Sequence, residues 1–124
     1  MSTSLTLQEQ HHMLYQASRH ELLVPWSTRK RRLEQLQALL KTHQHTLLAA
    51  IADDFGQRST TESTILELIP ANNAIKHALK HGEKWMQRRK AATSWLFKPA
   101  TAYVQPQPKG VIGIVSPWNY PLYL

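Results

Sequence analysis

Asn119 is the residue whose type and position in this sequence are best suited to contact a bound ligand. It lies in the hexapeptide SPWNYP (residues 116–121), where one proline precedes and one follows Trp118 and Asn119 and both restrict the backbone. Residues 111–115 form an apolar run, the pattern of a strand buried on both faces in a parallel sheet. Because ligands bind beyond the carboxyl ends of such strands, we expect Asn119 to point into a crevice. The simpler interpretation is a polar turn residue between two prolines.

A second pair of residues has the spacing of metal ligands. His77 and His81 are four positions apart on a predicted helix, so both imidazoles could face one metal ion. No Asp, Glu or Cys at a clear spacing completes such a site, and two exposed histidines in a basic segment is the better interpretation. We therefore predict no metal site.

The composition limits the size of the core and raises the question of acidic partners. The chain has 124 residues, enough for one modest core, and a net charge of +7 with a pI near 10. The cations cluster in two places: Arg29 to Arg32, and then Lys76, Lys80, Lys84, Arg88, Arg89 and Lys90. Such basic runs usually form a solvated helix face, but a basic helical module that binds a partner or nucleic acid remains an alternative.

Apolar spacing predicts three helices before residue 90. The first is short and ends before Pro25. The second is one long helix with Ser27 or Thr28 as its N-cap, and Gly56 follows its end as a residue that tolerates positive φ. Its apolar stripe consists of Leu33, Leu36, Leu40, Leu47 and Ile51.

The third helix should begin at a capping box formed by Ser59 and Glu62, and Pro70 should kink it. Since the connection between helices two and three is short, we expect them to pack as an antiparallel pair. The apolar face of the third helix consists of Ile65, Leu68, Ile69, Ile75 and Leu79.

The pattern after residue 90 changes to short β-rich pieces. Thr93–Phe97 and Thr101–Val104 are separated by a Lys-Pro-Ala turn, which predicts a β-hairpin. Residues 105–108 then lead into the apolar run. That strand has no parallel neighbour in this sequence, so we expect Gly110 to Leu124 to be mobile or buried by self-association.

The segment PKGVIGIVSPWNYPL (residues 108–122) resembles the one with which aldehyde dehydrogenases enter their cofactor-binding domain, and its PWNxP core matches fully. The resemblance extends from about Pro25 to the last residue and is greatest to the coniferyl aldehyde dehydrogenase subgroup, close to the class 3 enzymes. The other matching segments are Arg29–Leu36, Asp53–Ser59, Glu67–Pro70, Lys84–Met86 with Arg88 and Arg89, and Gln105–Pro108.

This resemblance implies an incomplete α/β aldehyde dehydrogenase fold, mainly α in these residues, with a β-hairpin and one parallel-type strand. Residues 1–90 would be the helical amino-terminal part of the cofactor-binding domain. Residues 91–107 would be the hairpin of the oligomerisation arm, and residues 108–124 the first buried strand of the cofactor-binding sheet with its PWN loop. The intact enzyme would be a homo-oligomer, a dimer or a tetramer.

The resemblance also implies a chemistry, the oxidation of an aldehyde, possibly similar to coniferaldehyde, to a carboxylic acid through a cysteine thioester with NAD or NADP. Asn119 would donate a hydrogen bond to the developing oxyanion. The positions bordering the cofactor would be Val115, Ser116, Pro117 and Trp118. The chain has no cysteine, so we expect this amino-terminal piece to be inactive alone, and a non-catalytic truncated product stays an alternative. Without a signal peptide pattern or a membrane span, the expected location is the cytoplasm.

Overall fold

The computed structural model describes residues 5–124, which are mainly helical with one two-stranded antiparallel sheet, as the sequence predicted. None of the helices in this described part is long and apolar enough to cross a membrane. The helices are α1 (Leu7–His20), α2 (Trp26–Thr42), α3 (Gln44–Asp54), α4 (Thr60–Ser63) and α5 (Ile69–Met86), with a π turn (Thr64–Leu68) between the last two and a 3₁₀ turn at Trp95–Phe97; the strands are β1 (Arg89–Ala91) and β2 (Ala102–Val104).

The described residues form two compact units, of which the larger contains residues 26–85 and 115–124. Its first helix begins at Trp26, directly after Pro25, so the prediction of Ser27 or Thr28 as the N-cap is wrong because both lie inside α2. The predicted long second helix is also interrupted. His43 has φ −102° and ψ 13°, outside the helical region, and separates α2 from α3.

Leu40, Leu48, Ile51 and Ile75 are the buried apolar residues of this unit. Three of them belong to the predicted stripes, but Leu48 was not predicted, because the break at His43 changes the helical phase of the residues that follow. Leu36 and Ile65, which were expected inside, are 46% and 56% exposed.

Helices α2 and α5 run antiparallel, as predicted. The Gln37 side-chain amide donates a hydrogen bond to Asn72 Oδ1 at 2.8 Å, while eleven residues earlier the ring of Trp26 lies against Gly82. As the position on α2 moves towards its start, the contact on α5 moves towards its end, which defines the direction. The hydrogen bond between Gln37 and Asn72 is partly buried, and the Trp26 ring lies close to Gly82, so these two contacts align the helices.

The predicted third helix begins where expected, and its irregularity precedes Pro70. The Glu62 backbone N–H donates to the Ser59 hydroxyl at 3.4 Å, which confirms Ser59 as the N-cap of α4. Pro70 lacks a backbone N–H, and the chain reaches it through the π turn, a widened turn of the kind that often occurs near functional sites.

The smaller unit contains residues 86–114 together with the described part of residues 1–25. In α1, the N-cap Thr6 and Glu9 form a capping box. The predicted hairpin exists, but its first strand is wrong: Ala102–Val104 pairs with Arg89–Ala91 rather than with Thr93–Phe97. The Ser94 hydroxyl accepts a hydrogen bond from the Leu96 N–H and begins the 3₁₀ turn, which removes those residues from the sheet.

The strand expected over residues 111–115 is not formed. Ile112 and Ile114 are 67% and 80% exposed, whereas a strand of a parallel sheet would bury both. The physical reason is that a strand needs the N–H and C=O groups of a neighbour, and the described chain offers this segment no parallel strand.

Candidate active site around Asn119

Helix α3 ends in a Schellman motif that directs the chain towards the residues around Asn119. The Gln57 N–H donates to the Ala52 carbonyl at 2.9 Å and the Gly56 N–H to the Asp53 carbonyl at 3.2 Å, the two bonds of that motif. Gly56 has a φ of +64°, as its sequence position predicted. The motif leaves Arg58 as the second residue after the glycine, at the start of the connection to α4.

Arg58 contacts the SPWNYP segment directly. Its Nη1 donates a hydrogen bond of 2.9 Å to the carbonyl oxygen of Asn119. The guanidinium also lies over two rings, with its Cζ 4.9 Å from the centre of Phe55 and 5.1 Å from that of Tyr120. With its side chain only 8% exposed and Glu62 Oε1 3.6 Å from its Nε, Arg58 is surrounded by partners that hold its orientation.

Glu67 contacts the chain three residues further along, at Leu122, directly after the SPWNYP segment. It lies in the π turn, is fully buried, and its Oε2 accepts a hydrogen bond of 2.8 Å from the Leu122 N–H. Its Oε1 lies 3.2 Å from Arg58 Nη1, within ion-pair distance but without the geometry of a hydrogen bond. The directed bonds of this pair therefore go to the backbone of Asn119 and Leu122.

The residues predicted to form the site lie together on one exposed turn. Val115 is 98% exposed, Trp118 is 81% exposed, and the rings of Trp118 and Phe55 are 6.5 Å apart. Ser116, Pro117 and Asn119 are exposed as well, so Asn119 is on an open surface and not in a crevice. Within residues 5–124 the Asn119 side-chain amide makes no hydrogen bond, which leaves both of its N–H groups available to a ligand.

No role was predicted for Arg58 or Glu67, although both lie in segments that match the family resemblance. A signal for Glu67 was present, since it is a lone carboxylate within the apolar run Ile65–Ile69. A charge inside an apolar stretch is buried at a cost unless it has a partner, which suggests a structural or functional pair. The sequence held no comparable signal for Arg58, because the hydrogen bond that links it to Asn119 joins residues 61 positions apart.

The two histidines that were considered as metal ligands lie side by side on α5. The rings of His77 and His81 are 4.5 Å apart, and Trp85 extends the row at 6.2 Å from His81. Partial burial, followed by the positive charges of His77, Lys80 and Lys84, lowers the pKa of His81 from its ordinary value. Among the described residues there is no group of three or more His, Cys, Asp or Glu side chains arranged to hold a metal ion.

Most of this chain, including the turn that carries Asn119, is similar to known proteins. Residues 11–124 match the sequence model of the aldehyde dehydrogenase family. A probable coniferyl aldehyde dehydrogenase of Pseudomonas aeruginosa is 42% identical over 92 residues, or 74% of this chain and 19% of that protein. A protein of the same name from Caulobacter vibrioides is 41% identical over 90 residues, or 69% of this chain and 18% of that protein.

Similarity extends to plants. Aldehyde dehydrogenase family 3 member H1 of Arabidopsis thaliana is 38% identical over 92 residues, which are 74% of this chain and 19% of the plant protein. The chain thus spans about a fifth of the length of the curated relatives it matches. No solved structure matches it.

Proposed function

This chain belongs to the aldehyde dehydrogenase family, and from that premise we propose that it contributes the oxyanion-binding asparagine of an NAD(P)-dependent enzyme that oxidises an aldehyde to a carboxylic acid. The observation that carries the proposal is the state of Asn119. Its carbonyl is held by Arg58, while its side-chain amide has no partner among residues 5–124. A fixed backbone with an unused donor is suited to bind charge that appears during a reaction.

The proposed role of Asn119 is to donate a hydrogen bond from Nδ2 to the oxygen of the aldehyde after a nucleophile has attacked its carbon. That oxygen becomes negative only as the reaction proceeds, so the hydrogen bond is stronger in the transition state than with bound aldehyde. A cysteine thiolate is the proposed nucleophile, and its adduct with the aldehyde would lose the aldehyde hydrogen as a hydride to the bound cofactor and so become a thioester. A glutamate-activated water then hydrolyses the thioester to the carboxylic acid and the free thiol. None of the 124 residues is cysteine, so the thiol comes from elsewhere and we expect these residues alone to be inactive.

Val115, Ser116, Pro117 and Trp118 are proposed to border the cofactor, NAD or NADP, which when bound accepts a hydride. Their chemistry fits one side of a nucleotide site. The exposed indole of Trp118 and the exposed Val115 side chain offer apolar surface to a ring. The Ser116 hydroxyl, whose hydrogen bond within the described chain is a 3.5 Å contact with the Pro117 carbonyl, remains able to bond a sugar hydroxyl.

The substrate is proposed to be an aromatic aldehyde similar to coniferaldehyde. Two of the relatives described above are named as probable coniferyl aldehyde dehydrogenases, and this supports the assignment. The test is to measure kcat/KM of the intact enzyme for aromatic and for short aliphatic aldehydes. The aromatic aldehydes should have the higher values. Preference for a short aliphatic aldehyde would contradict the proposed substrate class but would not affect the proposed role of Asn119.

Self-association of the intact enzyme through residues 91–107 is also proposed, as a homodimer or homotetramer. The side chains of Trp95, Leu96 and Phe97 in the 3₁₀ turn are 78%, 68% and 67% exposed. Such a contiguous apolar surface is typical of protein contacts. Replacing Trp95 and Phe97 by Asp should reduce the mass of the intact enzyme in sedimentation equilibrium, and an unchanged mass would exclude this segment.

The experiment for the catalytic role is Asn119→Ala in the intact enzyme. We expect kcat to fall by about 10² to 10³, the usual effect of losing one oxyanion donor, with a much smaller change in KM. Asn73→Ala, at an exposed position of α5, is the matched control and should keep the original rate. If kcat of the Asn119 variant equals that of the control, the proposed role is wrong.

A further inference from the structure

Arg58 and Glu67 form a buried charged pair whose hydrogen bonds reach two points of one short segment. The Arg58 side chain is 8% exposed and that of Glu67 is 0% exposed. Taking two charges out of water has a free-energy cost that their mutual attraction alone does not reliably offset. The burial of this ion pair is therefore weak evidence that the two residues serve only to stabilise the fold.

Resting on the proposed function of Asn119, we infer that Arg58 and Glu67 are positioning residues for its side-chain amide. Arg58 Nη1 holds residue 119 at its carbonyl, and Glu67 Oε2 holds residue 122 at its N–H. Neither side chain is proposed to touch the aldehyde. They act through the backbone that carries Asn119.

The geometry explains why a hold at these two points matters. The carbonyl that Arg58 binds belongs to the same residue as the donor amide, so fixing it restricts rotation next to the Cα that carries the amide. Tyr120 and Pro121 separate this point from the Leu122 N–H, and the proline ring restricts its own φ. A productive donor must be placed to within about 0.5 Å, which an exposed turn with free ends does not achieve.

The pair is itself held by features outside the segment. The Schellman motif at the end of α3 places Arg58, and the guanidinium lies over the rings of Phe55 and Tyr120. Glu67 lies in the π turn, where it is completely buried. Since the contact between Glu67 Oε1 and Arg58 Nη1 lacks hydrogen-bond geometry, the charges attract without diverting the bond from the Asn119 carbonyl.

The first test is kinetic and uses the intact enzyme. Arg58→Ala and Glu67→Ala should each lower kcat by about 10- to 100-fold with little change in KM, because misplacement of a catalytic group by about 1 Å has effects of that size. Arg58→Lys, which keeps the charge and a donor, should recover part of the rate. Arg31→Ala and Glu83→Ala, both at exposed helix positions, are the matched controls and should keep the original kcat.

A double-mutant cycle separates this inference from the proposed function. If Arg58 acts through Asn119, then Arg58→Ala should lower kcat by less than about threefold when Asn119 is already Ala. Full additivity of the two effects, or an Arg58→Ala variant as fast as its control, would overturn the positioning role while Asn119 keeps its own. An Asn119→Ala variant of unchanged rate would remove both.

The second test needs no catalysis and serves if Arg58→Ala does not fold. Hydrogen exchange of the Leu122 amide in the 124-residue chain reports its bond to Glu67. In Glu67→Ala this amide should exchange at least about tenfold faster, whereas Glu67→Gln retains an acceptor oxygen and should keep most of the protection. Amides in the middle of α2 serve as the internal reference. Equal exchange at Leu122 in all three proteins would show that Glu67 does not hold the segment.

Discussion

The indole ring of Trp26 occupies the space where a β-carbon on Gly82 would lie. Its Cζ3 and Cη2 atoms are 2.5 Å and 2.6 Å from that position, closer than any ordinary carbon contact. The glycine is therefore what allows the start of α2 to approach the end of α5. This contact also sets the spacing between these two antiparallel helices.

Gly82→Ala should destabilise the chain even though alanine favours a helix by about 1 kcal/mol over glycine. The added methyl group overlaps the Trp26 ring, and overpacking of this kind costs about 1 to 3 kcal/mol. Urea denaturation of the 124-residue chain measures the free energy of unfolding. The same substitution in a Trp26→Leu background should be less harmful. A stability gain from Gly82→Ala alone would show that the contact is not close.

Gly56→Ala should cost about 1 kcal/mol for a different reason. A β-carbon there meets nothing within 4 Å, so the cost arises from the φ of +64° that an L-residue adopts reluctantly. Gly113→Ala is the control, because that position is also open and is not in the positive-φ region. The denaturation midpoint of Gly56→Ala should be lower than that of Gly113→Ala. Equal midpoints would mean that the Schellman motif does not depend on glycine.

Ser63→Ala should leave stability unchanged or raise it. The Ser63 hydroxyl is completely buried and has no hydrogen-bond partner among residues 5–124, and a buried unpaired polar group costs about 1 to 3 kcal/mol. Ser59→Ala, four residues earlier, removes the N-cap of α4 and should cost about 0.5 to 2 kcal/mol. Thermal denaturation of both variants gives the comparison. A loss of stability in Ser63→Ala would indicate that its hydroxyl has a partner in solution.

Acidification should weaken α5 through His81. Its folded-state pKa is lowered, so the neutral imidazole contributes stability above the ordinary pKa of about 6.5, and this contribution is lost as the pH falls through the folded-state pKa. Lys80→Gln removes one of the positive charges responsible and should raise the pKa of His81, measured from the imidazole proton shifts by NMR. Lys76→Gln is the charge-matched control, and an equal rise in both variants would contradict a local cause.

In a verified monomer, the amides of Val111 to Val115 should exchange rapidly, because no strand among residues 5–124 pairs with them. The Leu122 amide should be slower, since it is bonded to Glu67. If the chain self-associates, protection of residues 111–115 should increase with protein concentration. Hydrogen exchange at two concentrations checks this. Protection of Val111 to Val115 equal to that of α2 in the monomer would contradict the prediction.

The sequence alone determined the features that arise within a few neighbouring residues. Ser59 as an N-cap, Gly56 after the end of α3 and the helical character of α1 and α5 all follow from local backbone bonding and apolar spacing. The family was also evident from the SPWNYP segment and the order of the other matching segments, because such a motif is a local string. The break at His43 was not predicted, since the apolar stripe continues across it.

Only the tertiary structure decided which distant residues meet. Arg58 and Asn119 are 61 positions apart, and Glu67 and Leu122 are 55 apart, so no periodicity links them. The sheet register has the same origin: Ala102–Val104 could pair with either preceding segment, and the 3₁₀ turn at Trp95–Phe97 left Arg89–Ala91 as the partner. Strand pairing and buried charge pairs are contacts between remote parts of the chain, and their energies depend on how the whole chain folds around them.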